Sequence, residues 1–213
     1  MSLRMLSKVV PALALATVAL VMTVPASAAG DAARGKTLAY TCLGCHGIET
    51  YKNVYPTYSV PKLRGQHAEY IVAALQEYAK GERSHATMHA HASTLSDQDM
   101  QDVAAYLSGE QVKSAQTTPV GVMPAAVATC QACHGQDGVG ITDIYPTLSG
   151  QHADYIEHAL ESYRSGGRKN PVMAPFAQQL KPEEIKQVAK YYARQKPALK
   201  TVPRPETILA VTK

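Results

Sequence analysis

The 213-residue chain has no tryptophan, a single phenylalanine and only four cysteines. Four cysteines are too few for a disulfide-built scaffold of this length. Charge of one sign is also scarce. Lys and Arg number 21 against 17 Asp and Glu, a formal net charge of +4, which is far from the basic field of a nucleic-acid binder. With 46% hydrophobic and 18% charged residues, the composition is that of a globular protein and not of a disordered one. Beyond Ala28 no stretch is apolar enough to span a bilayer. Tyrosine stands in for the missing aromatics, with 12 copies.

The N-terminal segment, Met1 to Ala28, reads as an address. Arg4 and Lys8 precede an acid-free run from Val9 to Val24 made almost wholly of Ala, Val, Leu and Met, followed by Ala26-Ser27-Ala28. This is the three-part pattern of a secretory signal peptide with cleavage after Ala28. A membrane anchor fits less well, because the run from Val9 to Val24 is shorter than a bilayer needs and Pro11 lies inside it. Export would leave a mature chain from Ala29 to Lys213 with a net charge of +2. That charge is uneven: residues 30–113 carry net −1 and residues 119–213 net +3, an asymmetry able to orient partners.

The chain repeats itself, and the period defines its organisation. Gly65-Gln66-His67-Ala68-Glu69-Tyr70-Ile71 returns as Gly150-Gln151-His152-Ala153-Asp154-Tyr155-Ile156, an offset of 85. The same offset relates Pro61 to Pro146, Tyr78 to Tyr163, Arg83 to Arg168, Met88 to Met173 and Tyr106 to Tyr191. Upstream, Cys42-Leu43-Gly44-Cys45-His46 returns as Cys130-Gln131-Ala132-Cys133-His134 at an offset of 88, so the first copy has three extra residues between His46 and Pro61. The expected organisation is a signal peptide over 1–28, a first domain over 29–108, a linker over 109–123, a second domain over 124–196 and an extended tail over 197–213. Apolar residues within each copy recur with helical period: Tyr70, Ile71, Ala74, Leu75 and Tyr78, then Met100, Val103, Ala104 and Leu107. Ser96 suits an N-cap; in the second copy Lys181 stands there, followed by Pro182, Glu183 and Glu184. Helices are also expected from near Asp31 and near Pro124. Each copy therefore reads as three or more short helices, an all-α fold.

Cys-x-x-Cys-His is the attachment signature of c-type haem. Thiols three positions apart on a helical turn can bond to the two vinyl groups of one haem, and the next residue sets an imidazole on the iron. Cys42, Cys45 and His46 form one such site, and Cys130, Cys133 and His134 the other. Zinc sites seldom fix a His directly after each Cys pair, and a thioredoxin-like pair needs a βαβ context that is missing. Two covalent haem c groups use all four thiols.

The repeat narrows the choice of sixth iron ligand. His85, His89, His91 and Met100 align with Asn170, Ala174, Phe176 and Ile185, whereas Met88 aligns with Met173. The pair Met88 and Met173 is therefore expected on the irons, in a loop before the last helix. His67 and His152 are the rival repeated pair, better suited to a structural or propionate-facing role. Pro61 and Pro146 are expected to offer carbonyls to the haem histidines, as such ligands usually donate their second N–H; Pro56 competes with Pro61. Tyr51, Tyr55 and Tyr58 cluster in the first copy only, as a partner-facing patch or as loop packing.

On these residues the sequence resembles the diheme cytochromes c4, exported electron carriers of bacteria. The likeness rests on both Cys-x-x-Cys-His-Gly motifs, both Gly-Gln-His-Ala-x-Tyr-Ile segments, and the methionines at 88 and 173. The resemblance implies two tandem class I cytochrome c folds related by pseudo-twofold symmetry, with haem propionates facing the interface between them. It implies a periplasmic protein, peripheral to the membrane at most, that takes electrons from a quinol-oxidising complex or similar donor. The acceptor would be a terminal oxidase or another redox protein. The alternatives are a diheme enzyme, such as a peroxidase or sulfur-compound dehydrogenase, and the cytochrome subunit of a catalytic complex.

Overall fold

The computed structural model describes residues 29–111 and 118–204. The expected signal peptide, the middle of the expected linker and the end of the tail lie outside the described residues. Nine α-helices are seen among the described residues, with three isolated β-bridges and no strands.

Helix α1 (Ala32–Leu38) starts where Asp31 accepts hydrogen bonds from the backbone N–H groups of Ala33 (2.8 Å) and Arg34 (3.3 Å). It crosses α5 (Asp97–Ser108) at Gly35, where a Cβ would lie only 1.8 Å from the Asp102 carbonyl oxygen. No other residue permits that approach. Arg34 fastens the crossing with ion pairs to Asp99 and Asp102. Ser96 and Asp99 cap α5 reciprocally. Between them come α2 (Leu43–His46), α3 (Ala68–Ala79) and α4 (Ala86–Ala92). Ile71 and Leu75 of α3 bury against Met100, Val103, Ala104 and Leu107 of α5.

The second copy repeats this with α6 (Gln131–His134), α7 (Ala153–Ser165), α8 (Met173–Gln179) and α9 (Pro182–Ala193). Ile156, Leu160 and Tyr163 pack on Ile185, Val188, Ala189 and Tyr192. The helix expected near Pro124 is one 3-10 turn, Ala125–Val127. Pro124 has no side-chain acceptor to play the part of Asp31, and the N–H groups of Val127 and Ala128 bond three positions back.

The halves meet through loops in a twofold pattern. Arg83 and Arg168 form an antiparallel bridge. Around it the Ser84 N–H bonds to the Gly167 carbonyl and the Lys169 N–H to the Glu82 carbonyl, both at 2.8 Å. Gln66 reaches across to the backbone of Thr147, and Gln151 to that of Lys62. After α9 the chain turns back over the first half. Arg64 and Lys200 exchange backbone hydrogen bonds, the Val202 N–H bonds to the His46 carbonyl at 3.2 Å, and Val202 is buried in the first core.

Candidate haem sites

Each Cys-x-x-Cys-His segment forms a single helical turn at the wall of a cavity. Cys42, Cys45, His46 and Met88 line the first cavity; Cys130, His134 and Met173 line the second. Cys133, half-buried on the same turn as Cys130, does not line it. The remaining walls are largely apolar: Leu63, Ile71, Leu75, Val103 and Leu107 in one, Leu148, Ile156, Leu160 and Val188 in the other.

His134 is buried and His46 half-buried, and the two are held alike. His46 Nδ1 lies 2.9 Å from the carbonyl of Pro61, and His134 Nδ1 lies 2.8 Å from that of Pro146. A carbonyl only accepts, so each Nδ1 carries the proton and each Nε2 keeps its lone pair. Burial pushes both imidazoles below their ordinary value, which keeps them neutral. Pro56 is not the partner; Pro61, the residue at the constant offset, is.

The methionines sit in short helices and not in a loop. His85 accepts the Met88 N–H on Nδ1 at 3.2 Å, and its Nε2–H donates to Asn53 at 3.2 Å. In the second copy Asn170 Oδ1 accepts the N–H groups of Val172 (3.0 Å) and Met173 (2.9 Å). His85 and Asn170 thus do one job with different chemistry: each caps the helix that carries the methionine. His91 also lines the first cavity, whereas His89 points away to the Tyr78 carbonyl at 2.8 Å.

His67 lies outside both cavities, near Gln111 (3.2 Å), Asp143 (3.3 Å) and Thr147 (3.4 Å). His152 lines neither. The Tyr51–Tyr58 cluster divides. Tyr51 and Tyr55 are exposed, while Tyr58 is buried and stacks on the His158 ring of the second half with centroids 3.9 Å apart. Beside it, Asp154 accepts from the backbone and hydroxyl of Ser59.

Tyr70 and Tyr155 line both cavities. Each accepts a hydrogen bond from a buried arginine, Arg83 at 3.1 Å and Arg168 at 3.2 Å. The sequence marks these arginines only as repeat members; their burial is the signal it does not carry. Tyr191, itself a repeat member, and Tyr192 are buried, and their hydroxyls donate to the carbonyls of Gln136 (2.8 Å) and Gly135 (3.3 Å), directly after His134. Taken together, two free thiols beside a neutral His with an open nitrogen, at the wall of an apolar pocket, suit a covalent haem.

A cytochrome c family model matches residues 32–110, and the model of cytochrome c oxidase, cbb3-type, subunit III matches residues 121–191. Cytochrome c4 of Pseudomonas aeruginosa is 32% identical over 182 residues, covering 78% of this chain and 89% of that one. The chain belongs to the diheme cytochrome c4 family. The solved structure of reduced recombinant cytochrome c4 from Pseudomonas stutzeri is 30% identical with a TM-score of 0.60, over 79% of this chain and all of that one. A protein named thiosulfate dehydrogenase electron acceptor, from Stutzerimonas stutzeri, is 31% identical over 73% of this chain and 79% of its own length. Like its c4 relatives, the chain is an electron-transfer protein with two covalently bound haem c groups on tandem cytochrome c domains. Among the described residues no helix is long and apolar enough to cross a membrane.

Proposed function

We propose that this c4 cytochrome is an exported, periplasmic carrier of single electrons, with both irons held by the protein on both faces. Cys42 and Cys45 attach the first haem and Cys130 and Cys133 the second. His46 and Met88 would ligate one iron, His134 and Met173 the other. The haem iron supplies the one-electron exchange between ferric and ferrous states. The chain's own residues exclude water with apolar walls, fix the imidazole through a proline carbonyl, and present a thioether sulfur that raises the reduction potential relative to a second imidazole. The domains span 29–108 and 124–196, and the leader ends at Ala28.

One observation carries this reading. In both copies a neutral, proline-anchored His and a helix-capped Met share the same cavity. An enzyme needs an open or displaceable coordination position; with His46 and Met88 on one iron and His134 and Met173 on the other, both positions of each would be filled by the protein. The partners are then redox proteins. A quinol-oxidising complex or a sulfur-compound dehydrogenase delivers electrons, the latter because one relative is named an acceptor for thiosulfate dehydrogenase. A terminal oxidase takes them, and any contact with the membrane is peripheral.

Carbon monoxide added to the reduced holoprotein tests the reading. An unchanged absorbance spectrum is expected. Prompt binding at either haem would overturn it and favour a diheme enzyme.

A further inference from the structure

Two hydrogen bonds that cross between the halves end on the very peptide groups that hold the haem histidines. The Pro146 carbonyl accepts from His134 Nδ1–H at 2.8 Å. The N–H of that same peptide unit, carried by Thr147, donates to Gln66 Oε1 of the first half at 2.9 Å. The Pro61 carbonyl accepts from His46 Nδ1–H at 2.9 Å, and the Lys62 N–H of that unit donates to Gln151 Oε1 of the second half at 3.0 Å. The C=O and N–H of a planar trans peptide point in opposite directions, so each amide stands between a histidine and a glutamine. The glutamine is fixed the right way round, because its Nε2 donates to the next carbonyl along, that of Thr147 or Lys62, at 3.0 Å.

Both glutamines are buried, where hydrogen bonds in a chain polarise one another. An acceptor on the N–H side of an amide draws on that proton and leaves the carbonyl oxygen more negative. The oxygen then pulls harder on the Nδ1–H of the histidine. The ring becomes a more basic ligand through Nε2, and a more basic ligand favours ferric over ferrous iron. Remove the glutamine, and the amide loses both its polarisation and one of its two anchors.

We propose that Gln66 and Gln151 are positioning residues for the haem histidine of the opposite domain. Gln66 acts on His134 through the Pro146–Thr147 amide, and Gln151 acts on His46 through the Pro61–Lys62 amide. Each repeat thus sets the basicity of the iron ligand in the repeat to which it does not belong. This rests on the reading of His46 and His134 as iron ligands.

Proton NMR of the oxidised holoprotein tests this, because each ferric haem has its own hyperfine-shifted signals. Through-space contacts assign them, to Ile71 and Leu75 in the first cavity and to Ile156 and Leu160 in the second. Gln66→Leu should shift the signals of the second haem and leave those of the first in place. Gln151→Leu should do the reverse. In a redox titration each variant should raise the potential of the haem whose signals moved, since its imidazole has become less basic. Gln66→Asn and Gln151→Asn keep an amide but withdraw it from reach. They should give the same crossed pattern, and they decide the matter if the leucine variants do not fold. Shifts confined to the variant's own half, equal shifts at both haems, or no shift at all would overturn the proposal. A general loosening of the interface would move both haems together and so would not mimic the expected result. The response to carbon monoxide does not depend on these amides, so the ligation and its tuning fall separately.

Discussion

Gln66 and Gln151 perform the same act in opposite directions. Gln66 donates to the Thr147 carbonyl at 3.0 Å and accepts the Thr147 N–H at 2.9 Å. Gln151 donates to the Lys62 carbonyl and accepts the Lys62 N–H, both at 3.0 Å. Lys62 and Thr147 are themselves related by the offset of the repeat, so the clamp obeys it at both ends. Each glutamine is 4% exposed and also accepts the N–H of the histidine that follows it. The two side chains are a pseudo-twofold interface reduced to its minimum.

Replacing either glutamine by leucine should therefore cost about the same. Each change orphans a backbone N–H and a carbonyl in the partner domain, at roughly 1–3 kcal/mol per buried group. Guanidinium unfolding of the holoprotein measures this. Two single variants with very different costs would show that the clamp is not symmetric.

The cap on the first methionine's helix gives a second expectation. His85→Asn installs the residue that the other half uses at Asn170, and stability should hold. His85→Ala removes the acceptor for the Met88 N–H, and should lose about 1 kcal/mol, within the usual range for an N-cap. Thermal melts of the two variants compare them directly. Equal loss in both would mean that the imidazole matters for something other than its lone pair.

Acid should loosen the interface through His158. Burial, with Arg168 and His85 nearby, pushes its imidazole below the ordinary value. The unfolded chain, with a value of about 6.5, takes up the proton more readily. Stability from this group is thus complete above about 6.5 and falls as the pH drops through it. His158→Gln keeps a flat polar surface under Tyr58 and should make that acid slope shallower, as read by denaturation midpoints between about pH 7 and 5. An unchanged slope would remove His158 as a contributor.

Substituting Met88 by Ala should free one coordination position. Carbon monoxide should then bind one haem of the reduced protein, and one titration step should fall in potential, since sulfur ligation raises it. A spectrum indifferent to carbon monoxide would take Met88 off the iron.

The fold class was legible because its signals are local or repeated. Asp31 and Ser96 announce their helices by their own side chains, and the Cys-x-x-Cys-His motifs place one haem in each copy. Pro61 and Pro146 could be named because a single offset links them. Less legible were features that depend on what a residue faces after folding. Nothing in Gly-Gln-His says that the glutamine crosses to the other domain. His85 is not an obvious helix cap, so the Met88 segment reads as loop. Pro124 reads as a helix start, but without a side-chain acceptor it yields one 3-10 turn. Tyr58 belongs to a cluster that looks like one patch, yet its ring alone turns inward to meet His158.

The returning tail has a consequence in time. Leu199 is fully buried, and Val202 fills the first core and bonds to the carbonyl of His46. A ribosome delivers these residues only after the entire second copy has been made. The half that is synthesised first is thus finished last, and no cut between the repeats can yield a complete first domain.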